Sequence, residues 1–161
     1  MIDKSIIGIM GPGEGATDAD IEIAFQLGKE LAQHNHVILT GGRPEGVMEA
    51  AMKGAKAGGG LTIGILPSEN GCDQSDYVDI PIKTGMGSTR NNINVLTADV
   101  VIAVGLGAGT TSEITFALKA EKPVFLLNWT NKTKVFIDSL GNFDVTYCES
   151  IGQILNILEP S

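Results

Sequence analysis

The sequence predicts an α/β protein with a Rossmann-like three-layer fold, a mainly parallel sheet flanked by helices on both faces. Three observations carry this. Short apolar runs alternate along the chain with segments whose apolar residues fall at helical spacing. Sixteen of the 21 glycines cluster at 8–15, 41–46, 58–64, 85–87 and 105–109, mostly beside the ends of those runs. At 161 residues the chain can bury a core as one domain, read as residues 1–161 and as a nucleotide- or phosphate-binding unit.

Each element has its own signal. Ser5–Met10 is a buried strand, followed by a loop through Thr17. Thr17 or Asp18 caps the next helix, with Asp20 and Glu22 suited to its first turn. Ile21, Ala24, Phe25, Leu31 and Ala32 form its inward face, and Gly28 on that face predicts close approach to the sheet. Val37–Thr40 is the second strand. Pro44 suits a first helical position, and Val47, Met48, Ala51, Met52 and Ala55 make a thin apolar face. That face is compatible with an oligomer contact. Gly58–Gly60 ends the helix, and Leu61–Leu66 is the third strand.

Tyr77–Ile82 reads as a weaker edge strand, because Pro81 cannot donate to a ladder. A polar glycine loop, 84–90, leads to a helix over 91–98 with Ile93, Leu96 and Thr97 inward. Asp99–Val104 is a strand, and Ile114–Ala120 a helix. Pro123–Leu127 is a strand, Lys132–Leu140 a helix, Phe143–Tyr147 a last strand, and Ser150–Leu158 a closing helix capped by Ser150.

Composition narrows the function. The net charge is −8, and no basic run or stripe is present, which argues against a nucleic-acid partner. A small phosphorylated ligand needs only a local positive site. No stretch approaches about 18 consecutive apolar residues, and the N-terminus lacks a signal peptide's charged start and cleavage site. The expectation is a cytoplasmic protein with no membrane partner, whose two cysteines, Cys72 and Cys148, are free thiols. No metal-ligand spacing occurs, and the sequence calls for no resident metal or cofactor. His34 and His36 fall at a helix end and a strand start, away from the glycine loops. Trp129 and Tyr147 stand alone and are read as packing residues.

The stretch Gly105-Leu-Gly-Ala-Gly-Thr-Thr-Ser-Glu113 is the strongest candidate for a ligand site. Gly105, Gly107 and Gly109 let a ligand approach the backbone, Thr110, Thr111 and Ser112 add hydroxyls where the helix begins, and Ala108 lies in the same ligand-facing loop. Unpaired amides and the helix dipole favour an anion there. Glu113 is a carboxylate one turn further on, either a ligand contact or a plain dipole-stabilising residue. Arg90 starts the helix before the preceding strand, and a right-handed crossover places it on the ligand side. Its planar fork suits phosphate or carboxylate. Asn91 and Asn94 follow it. Gly11 and Gly13 only loosely match a dinucleotide loop, and the second strand ends in Thr40-Gly41-Gly42 with no ribose-binding acid. Gly11, Gly13, Gly41 and Gly42 are therefore expected to line the crevice without binding NAD or FAD.

Together these residues resemble the lysine-decarboxylase-like proteins of the "Lonely guy" family and their superfamily. That family carries P-G-G-x-G-T-x-x-E preceded by an Arg-Lys pair. Here Gly105–Glu113 and Arg90-Asn91 correspond, with Glu113 lying 23 residues after Arg90. Gly41-Gly-Arg-Pro-Glu-Gly-Val-Met-Glu-Ala-Ala resembles its G-G-G-x-x-G-x-M-x-A-A segment, and Gly64–Pro67 the strand end that follows. The likeness spans roughly Ile6 to Leu127. The departures are Gly105 for the motif's Pro, Leu106 for its first Gly, and Asn91 for the Lys. With Asn94, they look closer to the molybdenum-cofactor carrier branch.

The resemblance implies two functions. One is a nucleoside 5'-monophosphate phosphoribohydrolase, in which Glu113 stabilises an oxocarbenium-like transition state and Arg90 positions the substrate. The other is a non-enzymatic carrier or sensor of a phosphorylated ligand, nucleotide or pterin. It also implies a homodimer or larger homo-oligomer. A DNA-binding relative is disfavoured by the charge. The family's "decarboxylase" name does not imply that activity.

Overall fold

The chain alternates strand and helix from end to end. A computed structural model describes residues 4–159, so the ends of the domain expected over 1–161 lie outside the described residues. The elements are β1 (Ile6–Met10), α1 (Asp18–Gln33), β2 (Val37–Thr40), α2 (Gly46–Ala57), β3 (Thr62–Leu66) and β4 (Ile80–Lys83). A 3-10 turn over Gly87–Arg90 runs directly into α3 (Asn91–Thr97). Then follow β5 (Val100–Val104), α4 (Ala108–Lys119), β6 (Val124–Leu127), α5 (Asn131–Ser139), β7 (Val145–Tyr147) and α6 (Ile151–Leu158).

The seven strands form one sheet in the order β4-β3-β2-β1-β5-β6-β7, with every pairing parallel. β1 and β5 are neighbours, with Met10 opposite Ala103. The chain therefore moves outward from β1 to β4, returns, and moves outward again from β5 to β7. That reversal leaves a crevice beyond the carboxyl ends of β1 and β5, the place where open α/β sheets bind ligands. The loops that emerge there carry Gly11, Gly13 and Gly15 after β1 and Gly105 and Gly107 after β5.

Strand residues alternate between two cores, one on each face of the sheet. Ile7, Ile9, Ile38, Ile102, Val104, Phe125 and Leu127 face α1, α2 and α6. Met10, Leu39, Ile65, Val101, Ala103, Val124 and Leu126 face α3, α4 and α5. This is the three-layer arrangement, and both sheet faces are covered as a parallel sheet requires.

The caps agree with the sequence. Thr17 caps α1, accepting from the Asp20 amide while the Asp20 carboxylate accepts from the Thr17 amide. Such a box contributes on the order of 1 kcal/mol. Ser150 caps α6 in the same way, through the Gln153 amide. β4 is the edge strand, and Pro81 lies in it, although the strand starts at Ile80 rather than Tyr77.

Several expectations are corrected. Gly28 does approach another backbone closely, but the neighbour is α2, not the sheet. A Cβ there would sit 2.1 Å from the Ala51 carbonyl oxygen, and one on Gly54 would sit 1.9 Å from that of Phe25. Two glycines, one on each helix, thus let α1 and α2 touch backbone to backbone. Ile21 lies exposed at the flank of α1, and Leu27 takes the inward place. The thin apolar face of α2 is buried within the chain through Val47, Ala50, Ala51, Met52 and Ala55. α2 starts at Gly46, so Pro44 precedes the helix. In α3, Leu96 is exposed, and Asn91, Asn94 and Val95 face inward. α4 begins at Ala108, two residues before Thr110, so the Thr110, Thr111 and Ser112 hydroxyls fall in its first turns. Trp129 and Tyr147 do not stand alone. Their rings meet edge-on at a centroid distance of 5.2 Å.

Candidate functional site

A cleft of about 530 Å³ opens at the crevice between β1 and β5. Of the residues expected to bind a ligand, Gly11, Gly13, Arg90, Asn91, Gly107, Ala108, Gly109, Thr110 and Glu113 line it. They come from three separate stretches, and the strand order alone brings them together.

The α4 end of the cleft is built for an anion. Its N-cap is Gly107, which has no side chain with which to satisfy the first-turn amides. The macrodipole adds partial positive charge there. Thr110, in the first turn, is 1% exposed, and its hydroxyl has no hydrogen-bond partner among the described residues. A buried hydroxyl left unpaired costs on the order of 1–3 kcal/mol. A phosphate oxygen in the cleft would relieve that penalty.

Arg90 is held from three sides. Its Nε donates to the Ile65 carbonyl at 2.7 Å, its Nη2 to the Gly41 carbonyl at 3.4 Å, and its Nη1 to the Asn91 side-chain oxygen. The guanidinium is thereby fixed at the ends of β2 and β3, facing the cleft. Burial lowers its pKa, the nearby Glu113 opposes that shift, and Arg43 adds to it. An arginine keeps its proton in a protein all the same, so a buried positive charge stands in the cleft.

Glu113 is buried on the inner turn of α4. Burial pushes its carboxyl up to about 7, against the Asn94 hydrogen bond and the Arg90 charge, which pull it down. It can therefore hold or release a proton near neutral pH, the range useful for general acid–base work or for proton-linked binding.

Four expected residues lie behind the cleft wall rather than on it. Asn94 is fully buried, and its Nδ2 donates to Glu113 Oε1 at 2.8 Å. Gly41 supplies the carbonyl that holds Arg90. Gly42 turns the chain after β2, its amide donating to Thr40 Oγ1 at 3.0 Å. The Thr111 hydroxyl donates to the Gly107 carbonyl at 2.8 Å and so is already engaged within the helix. Asn91 does reach the cleft, and its Nδ2 donates to Ser112 Oγ at 2.9 Å, tying α3 to α4.

The sequence reading missed other cleft residues, among them Arg43, Glu45, Met48 and Ser88. Arg43 and Glu45 follow the carboxyl end of β2, where the ligand rule for open sheets applies, and that position was the available signal. Met48 was placed instead on the apolar helix face. Among the described residues no group of three or more His, Cys, Asp or Glu side chains is placed to hold a metal ion. His34 and His36 pair with Glu159 at 2.8 and 3.3 Å, at the opposite edge of the sheet. No helix is long and apolar enough to cross a membrane among the described residues.

Comparison with known proteins covers nearly the whole chain. A model of the SLOG cluster4 family matches residues 4–155. An uncharacterized protein of Archaeoglobus fulgidus is 43% identical over 150 residues, 89% of this chain and 94% of that one. The molybdenum cofactor binding protein of the phototrophic bacterium Rippkaea orientalis is similar in structure, with a TM-score of 0.94 and 51% identity. That match covers 98% of this chain and 97% of the other. The molybdenum cofactor carrier protein of Chlamydomonas reinhardtii is similar too, with a TM-score of 0.87, 47% identity and 96% of each chain covered.

Proposed function

The chain belongs to the SLOG cluster4 family, within the "Lonely guy"-like superfamily that Arg90 and Gly105–Glu113 resemble, and we propose that it binds and carries a phosphorylated pterin of the molybdenum cofactor class. The observation that carries this is the uncapped N-terminus of α4, where the unpaired Thr110 hydroxyl meets a cleft that Arg90 also faces. A phosphate monoester fits that set of donors. The similar structures, the molybdenum cofactor binding protein of Rippkaea orientalis and the carrier protein of Chlamydomonas reinhardtii, support the pterin over other phosphorylated compounds. In this reading Gly107–Thr110 hold the phosphate and Arg90 orients it. The molybdenum keeps its own ligands, since no metal-binding cluster of side chains stands among the described residues. Residues 1–161 act as one binding domain, free of membrane, and assemble as a homo-oligomer through surfaces other than the buried face of α2.

The phosphoribohydrolase reading keeps one observation in its favour. Glu113, pushed up to about 7, lines the same cleft as Arg90. A single experiment separates the two. Purified protein is mixed with molybdenum cofactor released from a molybdoenzyme, and molybdenum is measured in the protein peak after gel filtration. In parallel, AMP and isopentenyladenosine monophosphate are incubated with the protein and free base is followed by chromatography. The carrier reading expects molybdenum in the protein peak and no base release. Base release that Glu113→Ala abolishes would replace it with the hydrolase reading. Absence of both would overturn the two together.

A further inference from the structure

Glu45 occupies an unusual place. It is the N-cap residue of α2, yet its side chain makes no capping hydrogen bond. It lines the cleft instead. Its Oε1 accepts from Arg43 Nη2 at 2.6 Å, which fixes the carboxylate's direction. Its Oε2 has no donor among the described residues. Gly13 keeps that oxygen clear, because a Cβ there would stand 2.8 Å from it.

The position relative to the α4 anion site is also informative. Pro12 lies between the two helix starts. Its carbonyl accepts from the Val47 amide at 3.0 Å, in the first turn of α2. Its ring lies 3.5 Å from where a Gly107 Cβ would be, at the start of α4. Pro12 therefore joins the α4 anion site to the Glu45 wall of the same cleft, a path open to a ligand whose phosphate rests on α4. The wall there is apolar, from Pro12 and Met48, and suits the flat face of a heterocycle.

We propose that Glu45 reads the ring of the bound ligand, accepting the paired N–H donors of a 2-amino-4-oxo pyrimidine edge, the edge that guanine and pterins share. This rests on the reading that the cleft takes a phosphorylated ligand at α4. A carboxylate is acceptor-only and offers two oxygens side by side, matching a ring N–H and an exocyclic amine that point the same way. Hypoxanthine lacks the amine. Adenine presents a ring acceptor to the carboxylate, so lone pairs would face each other. A site built around a polar contact rejects a ligand that leaves it unpaired.

The test is calorimetric binding of GMP, IMP, AMP and 6-hydroxymethylpterin monophosphate to the full chain and to Glu45→Gln. The parent is expected to bind GMP or the pterin at least tenfold tighter than IMP and AMP. Which of those two binds more tightly identifies the ring system as purine or pterin. In Glu45→Gln, that preference falls to under threefold, because the amide loses one acceptor toward GMP or the pterin and gains a donor toward the adenine ring acceptor, while the melting temperature stays as in the parent. Equal affinities in the parent overturn the proposal and leave the phosphate reading standing, and so does a preference that survives in Glu45→Gln. Failure of all four compounds to bind overturns both.

Discussion

Asn94 reaches from α3 to Glu113 on α4, its Nδ2 donating to Oε1 at 2.8 Å, with both side chains buried. That hydrogen bond favours the carboxylate, as does the Arg90 charge, yet burial outweighs them and the carboxyl is pushed up to about 7. Its folded-state pKa thus lies above the ordinary value of 4.5. The sign follows from linkage. Stability from the protonated carboxyl is fully present below about pH 4.5 and is lost as pH rises through about 7. Glu113→Gln removes the titration. Its stability relative to the parent should climb by up to about 3 kcal/mol between pH 4 and pH 8. Urea unfolding at both pH values measures this, and a difference that does not change with pH contradicts it.

Arg90 joins the ends of β2 and β3 through the Gly41 and Ile65 carbonyls. Lysine cannot make these bonds together, because its charge is a single point rather than a planar fork. Arg90→Lys should weaken binding of a phosphorylated ligand at least tenfold and lower stability by about 1–3 kcal/mol, since buried carbonyls lose a donor. Ligand titration and thermal melting read the two effects separately. Parent-like values in both would mean that the guanidinium geometry is immaterial.

The contact between α1 and α2 makes a prediction against helix propensity. Gly28→Ala gains about 1 kcal/mol of propensity in a helix interior. It also drives a methyl to 2.1 Å from the Ala51 carbonyl oxygen, a backbone atom that cannot swing aside. The helices must separate, and the expected outcome is a net loss of about 1–3 kcal/mol, as for other overpacked cores. Gly15→Ala is the control, because nothing lies within 4 Å of a Cβ there. If both variants melt like the parent, the helices are not in backbone contact.

Much of the fold was legible because apolar periodicity and glycine punctuation report local conformation directly. The strand positions, the Thr17 and Ser150 caps and the edge strand containing Pro81 all follow from that. What covers each helix face is not a local property. Ile21 and Leu96 fit an apolar stripe, yet both point outward. In α3 the buried face answers a polar partner, so Asn94 displaces the more apolar Leu96. Arg90 could be placed because crossover handedness is nearly invariant. Arg43 and Glu45 were hidden by Pro44, which suggested that a helix was already under way. The helix starts at Gly46, and the two charged residues remain on the cleft wall.

Thr110 yields a prediction with opposite signs in two measurements. Its hydroxyl is buried at the start of α4, faces the cleft and has no partner among the described residues. Thr110→Val keeps the shape, replaces the hydroxyl by a methyl and removes the unpaired group. The empty protein should therefore gain about 1 kcal/mol of stability. A phosphate bound at α4 would lose a hydroxyl donor, so affinity for a phosphorylated ligand should fall several-fold or more. A merely structural threonine would not separate the two quantities in this way. Melting without ligand and calorimetric titration with a pterin monophosphate are the paired measurements. Loss of stability in the empty protein would show that the hydroxyl already has a partner, and unchanged affinity would remove Thr110 from the anion site.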